Sequence, residues 1–127
     1  MATTIPTVFA RKGVDVASNK TLTAADAGIV QNVTVDGVIV TLPSTANGLS
    51  FTIRNGGKQD GTVGVFVSPA AADGITGNGF TATINKDAIN TKATSKAGDE
   101  ITVSANGTAG VTAWTAAQVV GTWAREA

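Results

Sequence analysis

The sequence predicts an all-β chain: a single antiparallel β-sandwich or jelly-roll-like domain of about eight or nine short strands, with an N-terminal arm. Three observations predict it. Apolar and polar residues alternate with period two through several short runs. Turn signals built on glycine, asparagine, aspartate and proline punctuate the chain roughly every 8 to 12 residues, and no stretch carries the 3.6-residue period of a long helix. The 127 residues allow one domain, divided here into an arm at 1–12 and a sandwich at 13–127.

The arm carries Pro6 and an isolated apolar group, Ile5, Val8 and Phe9, followed by Arg11 and Lys12. Two readings stand: a frayed terminus, or a segment whose apolar residues dock on a neighbouring subunit. A short strand is expected at 13–16. In the segment 21–28 one helical turn follows, with Thr23 as cap, Asp26 three residues on and Gly28 to end it. Residues 29–35 alternate loosely and Asp36-Gly37 reads as a hairpin turn.

The central unit, 38–57, reads as a strand, a turn and a second strand. Val38, Val40 and Leu42 share one face, as do Leu49, Phe51 and Ile53, while Ser50, Thr52 and Arg54 share the opposite one. Pro43 brings no N–H to a ladder, and Asn47-Gly48 is a turn dipeptide. After a glycine-rich polar tip at 55–61, Val63, Val65 and Val67 fall on one face and Gly64 and Phe66 on the other. The segment 69–79 reads as a loop or tight β-arch around Ile75, and 80–84 alternates again. The polar segment 85–98, with Lys86, Lys92 and Lys96, fits either a short helix at 86–90 or an edge strand guarded by its lysines. Clear strands close the chain at 99–105, 111–114 and 119–123. There is no exact sequence repeat.

Nine basic and nine acidic residues balance to zero, leaving no electrostatic footprint for nucleic acid or an anionic membrane, so neither is an expected partner. The first residues lack the basic start and continuous apolar core of a signal peptide, and no run approaches a membrane span, which predicts synthesis in a cytoplasm. With no histidine, cysteine or tyrosine, the commonest general base, thiol nucleophiles and most transition-metal sites are missing, so no enzyme, cofactor or metal is expected. The one adjacent acidic pair, Asp99-Glu100, points to opposite faces of a strand. Asp60, Asp73 and Asp87 lack the clustered spacing of a calcium loop. Gly74 to Gly79 lacks the lysine and spacing of a phosphate loop. Trp114 and Trp123, near the ends of the last two strands, suit core or subunit contact better than sugar stacking.

The stretches LTAADAGIV at 22–30, VTLPSTANGLSFTIRNGG at 40–57, VSPAAADGITGNG at 67–79, GDEITVSANG at 98–107 and GTW at 121–123 together resemble the small β-modules of tailed-bacteriophage virions, found in capsid decoration (cement) proteins and in tail-fibre segments. The resemblance covers most of the chain from Leu22 to Trp123. It implies a trimeric, non-catalytic module on the capsid exterior, reinforcing the shell by bridging major capsid proteins. A tail-fibre or baseplate module that grips host glycans is the second function it allows. The family contributes no catalytic or contact residues individually, so Ile5, Val8, Phe9, Arg11 and Lys12 rest on the arm, and Trp114 and Trp123 on their place in the last strands.

Overall fold

In the computed structural model, residues 11–81 and 83–127 are described. The chain builds two sheets by alternating between them. β1 (Gly13–Val16), β3 (Val30–Val33) and β5 (Ser50–Asn55) enter the first sheet, and β2 (Lys20–Thr21), β4 (Val38–Thr41) and β6 (Val65–Ser68) enter the second. Each strand lies parallel to the one two elements earlier. Three coils are thus stacked, as in a short β-solenoid.

After β7 (Ile75–Thr76) the path reverses. β8 (Ala88–Asn90) runs antiparallel to β6, β9 (Glu100–Ala105) runs antiparallel to β5, and β10 (Trp114–Val120) returns beside β9 with a register shift between Ala116 and Gln118. β7 pairs parallel with β10, and β11 (Ala124–Arg125) finishes the second sheet against β8. The orders are β1-β3-β5-β9-β10-β7 and β11-β8-β6-β4-β2.

The all-β class stands, but the sheets are mixed, with five parallel pairs among the nine described. The expected antiparallel sandwich is corrected accordingly. The two expected hairpins are arches. At Asp36-Gly37, the turn bonds to the next coil instead of closing a ladder: Gly37 N–H donates to the Gly64 carbonyl at 3.1 Å, and Gly64 N–H donates to Asp36 Oδ1 at 2.8 Å. At Pro43 to Gly48 the chain crosses from β4 to β5. Val38, Val40 and Leu42 therefore face Phe51 and Ile53 across the core, which a hairpin would have placed in one sheet. Alternation has the same period in either arrangement and does not name the partner strand.

Like stacks on like between coils. Thr21, Thr41 and Ser68 are in register, and Leu22 and Leu42 each donate a backbone bond of 2.8 Å to the next coil. The second arch of each coil carries an acid or amide, then glycine and a branched apolar residue: Asp26 to Ile29, Asn47 to Leu49, Asp73 to Ile75. This is a degenerate repeat where no exact one exists. The helical turn at 21–28 shortens to a 3-10 turn at Ala24–Asp26, whose Asp26 Oδ2 accepts the Thr23 N–H at 2.9 Å. Of the alternatives at 86–90, the strand is correct, but β8 lies between β6 and β11 and is not an edge.

The core contains Val33, Phe51, Ile53, Ile101, Val103 and Trp114 from the first sheet and Val38, Val40, Val65 and Val67 from the second. The Phe51 and Trp114 rings sit 5.7 Å apart, tilted by 45°. Replacing Trp114 by alanine is expected to cost about 3–5 kcal/mol by denaturant titration. A loss under about 1 kcal/mol would contradict its position.

Candidate functional site

The outward residues of β5 and β9 in the first sheet are polar. Ser50, Thr52 and Arg54 on β5 face Ser104, Thr102 and Glu100 on β9, and the Thr52 and Thr102 hydroxyls bond at 2.9 Å. One end of this face holds an ion cluster. The Arg11 guanidinium donates to both Glu100 oxygens, at 2.8 and 3.2 Å, and Arg54 approaches the same carboxylate at 3.6 Å. The Arg11 hydrogen bond and charge, assisted by Arg54, hold the Glu100 carboxyl below its usual range. Since Glu100 projects outward from β9, its partner Arg11 must lie over the outer surface of the first sheet. The chain therefore enters the sandwich across that face.

The outward face of the second sheet is different. Ile39 on β4 is in register with Phe66 on β6, Phe66 with Ile89 on β8, and Ile89 with Ala124 on β11. With strands about 4.8 Å apart, this apolar row crosses the sheet for roughly 15 Å. Ile39 is 37% exposed, and Phe66 and Ile89 are half-buried. Charged groups border it on both sides, the Asp36–Lys92 pair at 3.1 Å and the acidic pair Asp87 and Glu126. Burial pushes the Asp87 carboxyl up; Ser68 opposes this by hydrogen bonding, while the Glu126 charge adds to it.

Polar networks close the core at the first coil and on one flank, where β5 and β8 end and β9 begins. At the first coil Lys20 points inward from the edge strand β2 and donates to Gln31 Oε1 at 2.8 Å, with Asp26 at 3.4 Å. An inward charge on an edge strand discourages further strand addition. On that flank, Asn55 donates to Asn90 Oδ1 at 2.7 Å, and Asn90 donates to Asp99 Oδ2 at 3.0 Å. All three residues are buried. Gly121, at φ 89°, packs so tightly on the Asp99 carboxylate that a Cβ would collide with it. Asp99 and Glu100 do point to opposite faces: one is a core hydrogen-bond acceptor, the other the surface anchor of Arg11.

The sequence candidates are dispersed. Ile5, Val8 and Phe9 lie outside the described residues. Arg11 is committed to Glu100. Lys12 is exposed and joins the sheet through its carbonyl, which accepts the Val30 N–H at 2.9 Å. Trp114 is fully buried and presents no ring at the surface. Trp123 is half-buried, and its Nε1 donates to the Val120 carbonyl at 3.0 Å. Asp60, Asp73 and Asp87 are held separately, Asp60 and Asp73 by the backbone N–H groups of Ala97 and Thr45. Among the described residues no cluster of potential metal ligands forms, and no helix is long and apolar enough to cross a membrane. A shallow, open depression of about 590 Å³ lies between Thr34, Asp36, Lys58, Gln59 and Val63. The row Ile39–Phe66–Ile89 was not anticipated. Its trace in the sequence is Phe66, the large apolar residue on the face opposite Val63, Val65 and Val67. No family model matches the chain, and neither a curated protein nor a solved structure is significantly similar to it.

The shifts at Glu100 and Asp87 predict opposite pH effects. The stabilisation from Glu100 is fully present above the unfolded carboxyl pKa of about 4.3 and is lost as pH falls through its lower folded value. Glu100→Gln is thus expected to lower Tm at pH 7 and to flatten the acid limb below about pH 4. Asp87, raised on folding, opposes folding once it ionises. Asp87→Asn is expected to raise Tm at pH 7 and to leave it unchanged well below about pH 4. Thermal melts across pH 2.5 to 7, roughly the span over which carboxyls titrate, check both.

Proposed function

We propose that this chain is a non-enzymatic structural protein of a tailed-phage virion, which binds the outer surface of the capsid as a homotrimer and stabilises the shell by bridging major capsid proteins. The observation that carries the reading is where the resembling stretches fall. Three of the five, LTAADAGIV, VTLPSTANGLSFTIRNGG and VSPAAADGITGNG, contain corresponding arches of successive coils. Those three stretches thus follow the winding of the chain.

The surfaces suit a protein that acts by buried area and complementarity. One broad face is hydroxyl-rich with an ion cluster at its end, and the opposite face carries an apolar row bordered by charge; interfaces combine such an apolar centre with a polar rim. The second reading is a tail-fibre or baseplate module that would grip host glycans through Trp114, Trp123 and the loops at 55–61 and 70–79. The depression beside loop 55–61 favours it. Against it, Trp114 is enclosed and the Trp123 N–H is engaged by the backbone.

Adding the purified protein to undecorated capsids is expected to give threefold-related density on the outer surface by cryo-electron microscopy. Absence of capsid binding together with binding on a glycan array would overturn this reading in favour of the second.

A further inference from the structure

We infer that Asn47 is a site of spontaneous covalent modification: its side-chain amide cyclises onto the backbone nitrogen of Gly48 and the residue converts to aspartate and isoaspartate, while the other three Asn-Gly pairs of the chain are held against the same reaction. The inference is independent of the virion reading.

Glycine has no Cβ to shield its nitrogen or to restrict rotation of its peptide, so an Asn-Gly pair is open to this cyclisation. The Gly48 nitrogen attacks Asn47 Cγ. That N–C bond forms, the Cγ–Nδ2 bond breaks, and the Gly48 amide proton leaves with Nδ2 as ammonia. Water then opens the cyclic imide. Addition at Cγ gives aspartate, and addition at the main-chain carbonyl gives isoaspartate, in which the chain runs through the side chain and is one carbon longer. Only water is consumed.

A folded chain opposes the attack in two ways, by holding the amide group and by engaging the glycine N–H. The Asn-Gly pairs begin at Asn47, Asn55, Asn78 and Asn106, and their surroundings differ. Asn55 is 2% exposed, its Nδ2 donates to the Val63 carbonyl and to Asn90 Oδ1, and Gly56 N–H donates to the Val33 carbonyl at 2.7 Å. Asn106 donates to the Thr112 carbonyl, and Gly107 N–H donates to Thr45 Oγ1 at 3.0 Å. Asn78 donates to the Ala116 carbonyl. Asn47 is exposed, and among the described residues neither its side chain nor the Gly48 N–H has a hydrogen-bond partner. Its turn is closed by Leu49 N–H donating to the Ala46 carbonyl at 3.2 Å.

This turn lies where two coils and β9 meet. The Leu49 carbonyl accepts the Ala105 N–H at 2.9 Å, and the Ser50 carbonyl accepts the Gly28 N–H at 3.2 Å. Asn47 Oδ1 also lies so near Gly107 that a Cβ there would collide with it. Isoaspartate inserts a backbone carbon into the turn and displaces these contacts. Either product adds one negative charge to a chain whose formal charge is zero.

The test is ageing of the full-length protein in mildly alkaline buffer, folded and in guanidinium chloride, followed by tryptic peptide mapping with mass spectrometry. The four pairs fall on separate peptides, 21–54, 55–58, 59–86 and 97–125. In guanidinium chloride all four asparagines are expected to gain one mass unit at similar rates. In the folded protein Asn47 is expected to convert at least about tenfold faster than Asn55 or Asn106, and ahead of Asn78. Asn47→Ser keeps a polar residue in the turn and is expected to abolish the acidic form that appears on ion exchange. The aged wild type is expected to melt below the fresh protein. Conversion in the folded protein led by another asparagine, equal rates at all four, or no conversion at Asn47 while the unfolded chain converts, each overturns the inference; an unchanged melt of fully converted protein overturns its structural consequence.

Discussion

The parallel ladder between successive coils is the constraint on which the rest of the structure depends. Thr21, Thr41 and Ser68 stack in register in one sheet, and Val30, Thr52 and their neighbours do so in the other. Each arch must carry the chain across the core and return it one strand spacing further on. Residues at the arches are chosen for that crossing. Pro43 ends β4 without needing a partner for an N–H, and Gly28 and Gly48 adopt the positive φ that starts the next strand. Bonds such as Gly64 N–H to Asp36 Oδ1 tie one arch to the next. Breaking the winding at one coil therefore removes backbone partners from the following coil as well.

The same winding leaves the core to be closed at the first coil and along the flank where strands end, and the chain does both with buried polarity. Lys20, Gln31 and Asp26 cover the first coil, where β1 and β2 are both edge strands. Asn55, Asn90 and Asp99 close the flank where β5 and β8 end and β9 begins, by satisfying one another and nearby backbone groups, including the Val63 and Thr122 carbonyls and the Lys96 N–H. A buried amide or carboxylate without partners would be costly, so this cluster restricts how β5, β8 and β9 can be placed relative to one another. The outer faces are left to carry contacts, one through hydroxyls and an ion cluster, the other through an apolar row.

Much of the strand content was legible locally. Val38 to Leu42, Leu49 to Arg54, Val63 to Val67 and the 99–105 run announce strands by alternation, and the inward and outward sets agree with the observed burial. The Thr23–Asp26 turn was readable from its capping pattern. Strand pairing was not, because an arch and a hairpin present the same alternation and the same turn residues. The degenerate repeat at Asp26, Asn47 and Asp73 could have signalled coils, but its spacing is uneven and its residues are ordinary turn formers. The apolar row was hidden for a related reason. Ile39, Phe66 and Ile89 sit far apart in the chain, each the outward residue of its own strand, and only the register aligns them.

By itself the sequence determined the chemical character of this protein: all-β, balanced in charge, without histidine, cysteine or tyrosine, and with an apolar segment ahead of its first strand. Those properties follow from residue identity and nearest-neighbour spacing. The tertiary structure alone decided which strands pair, that Trp114 is enclosed, that Arg11 is anchored on one face, and that an apolar row crosses the other. Backbone hydrogen bonding between coils sets these features, and partners in that bonding are chosen by long-range packing that no local period encodes.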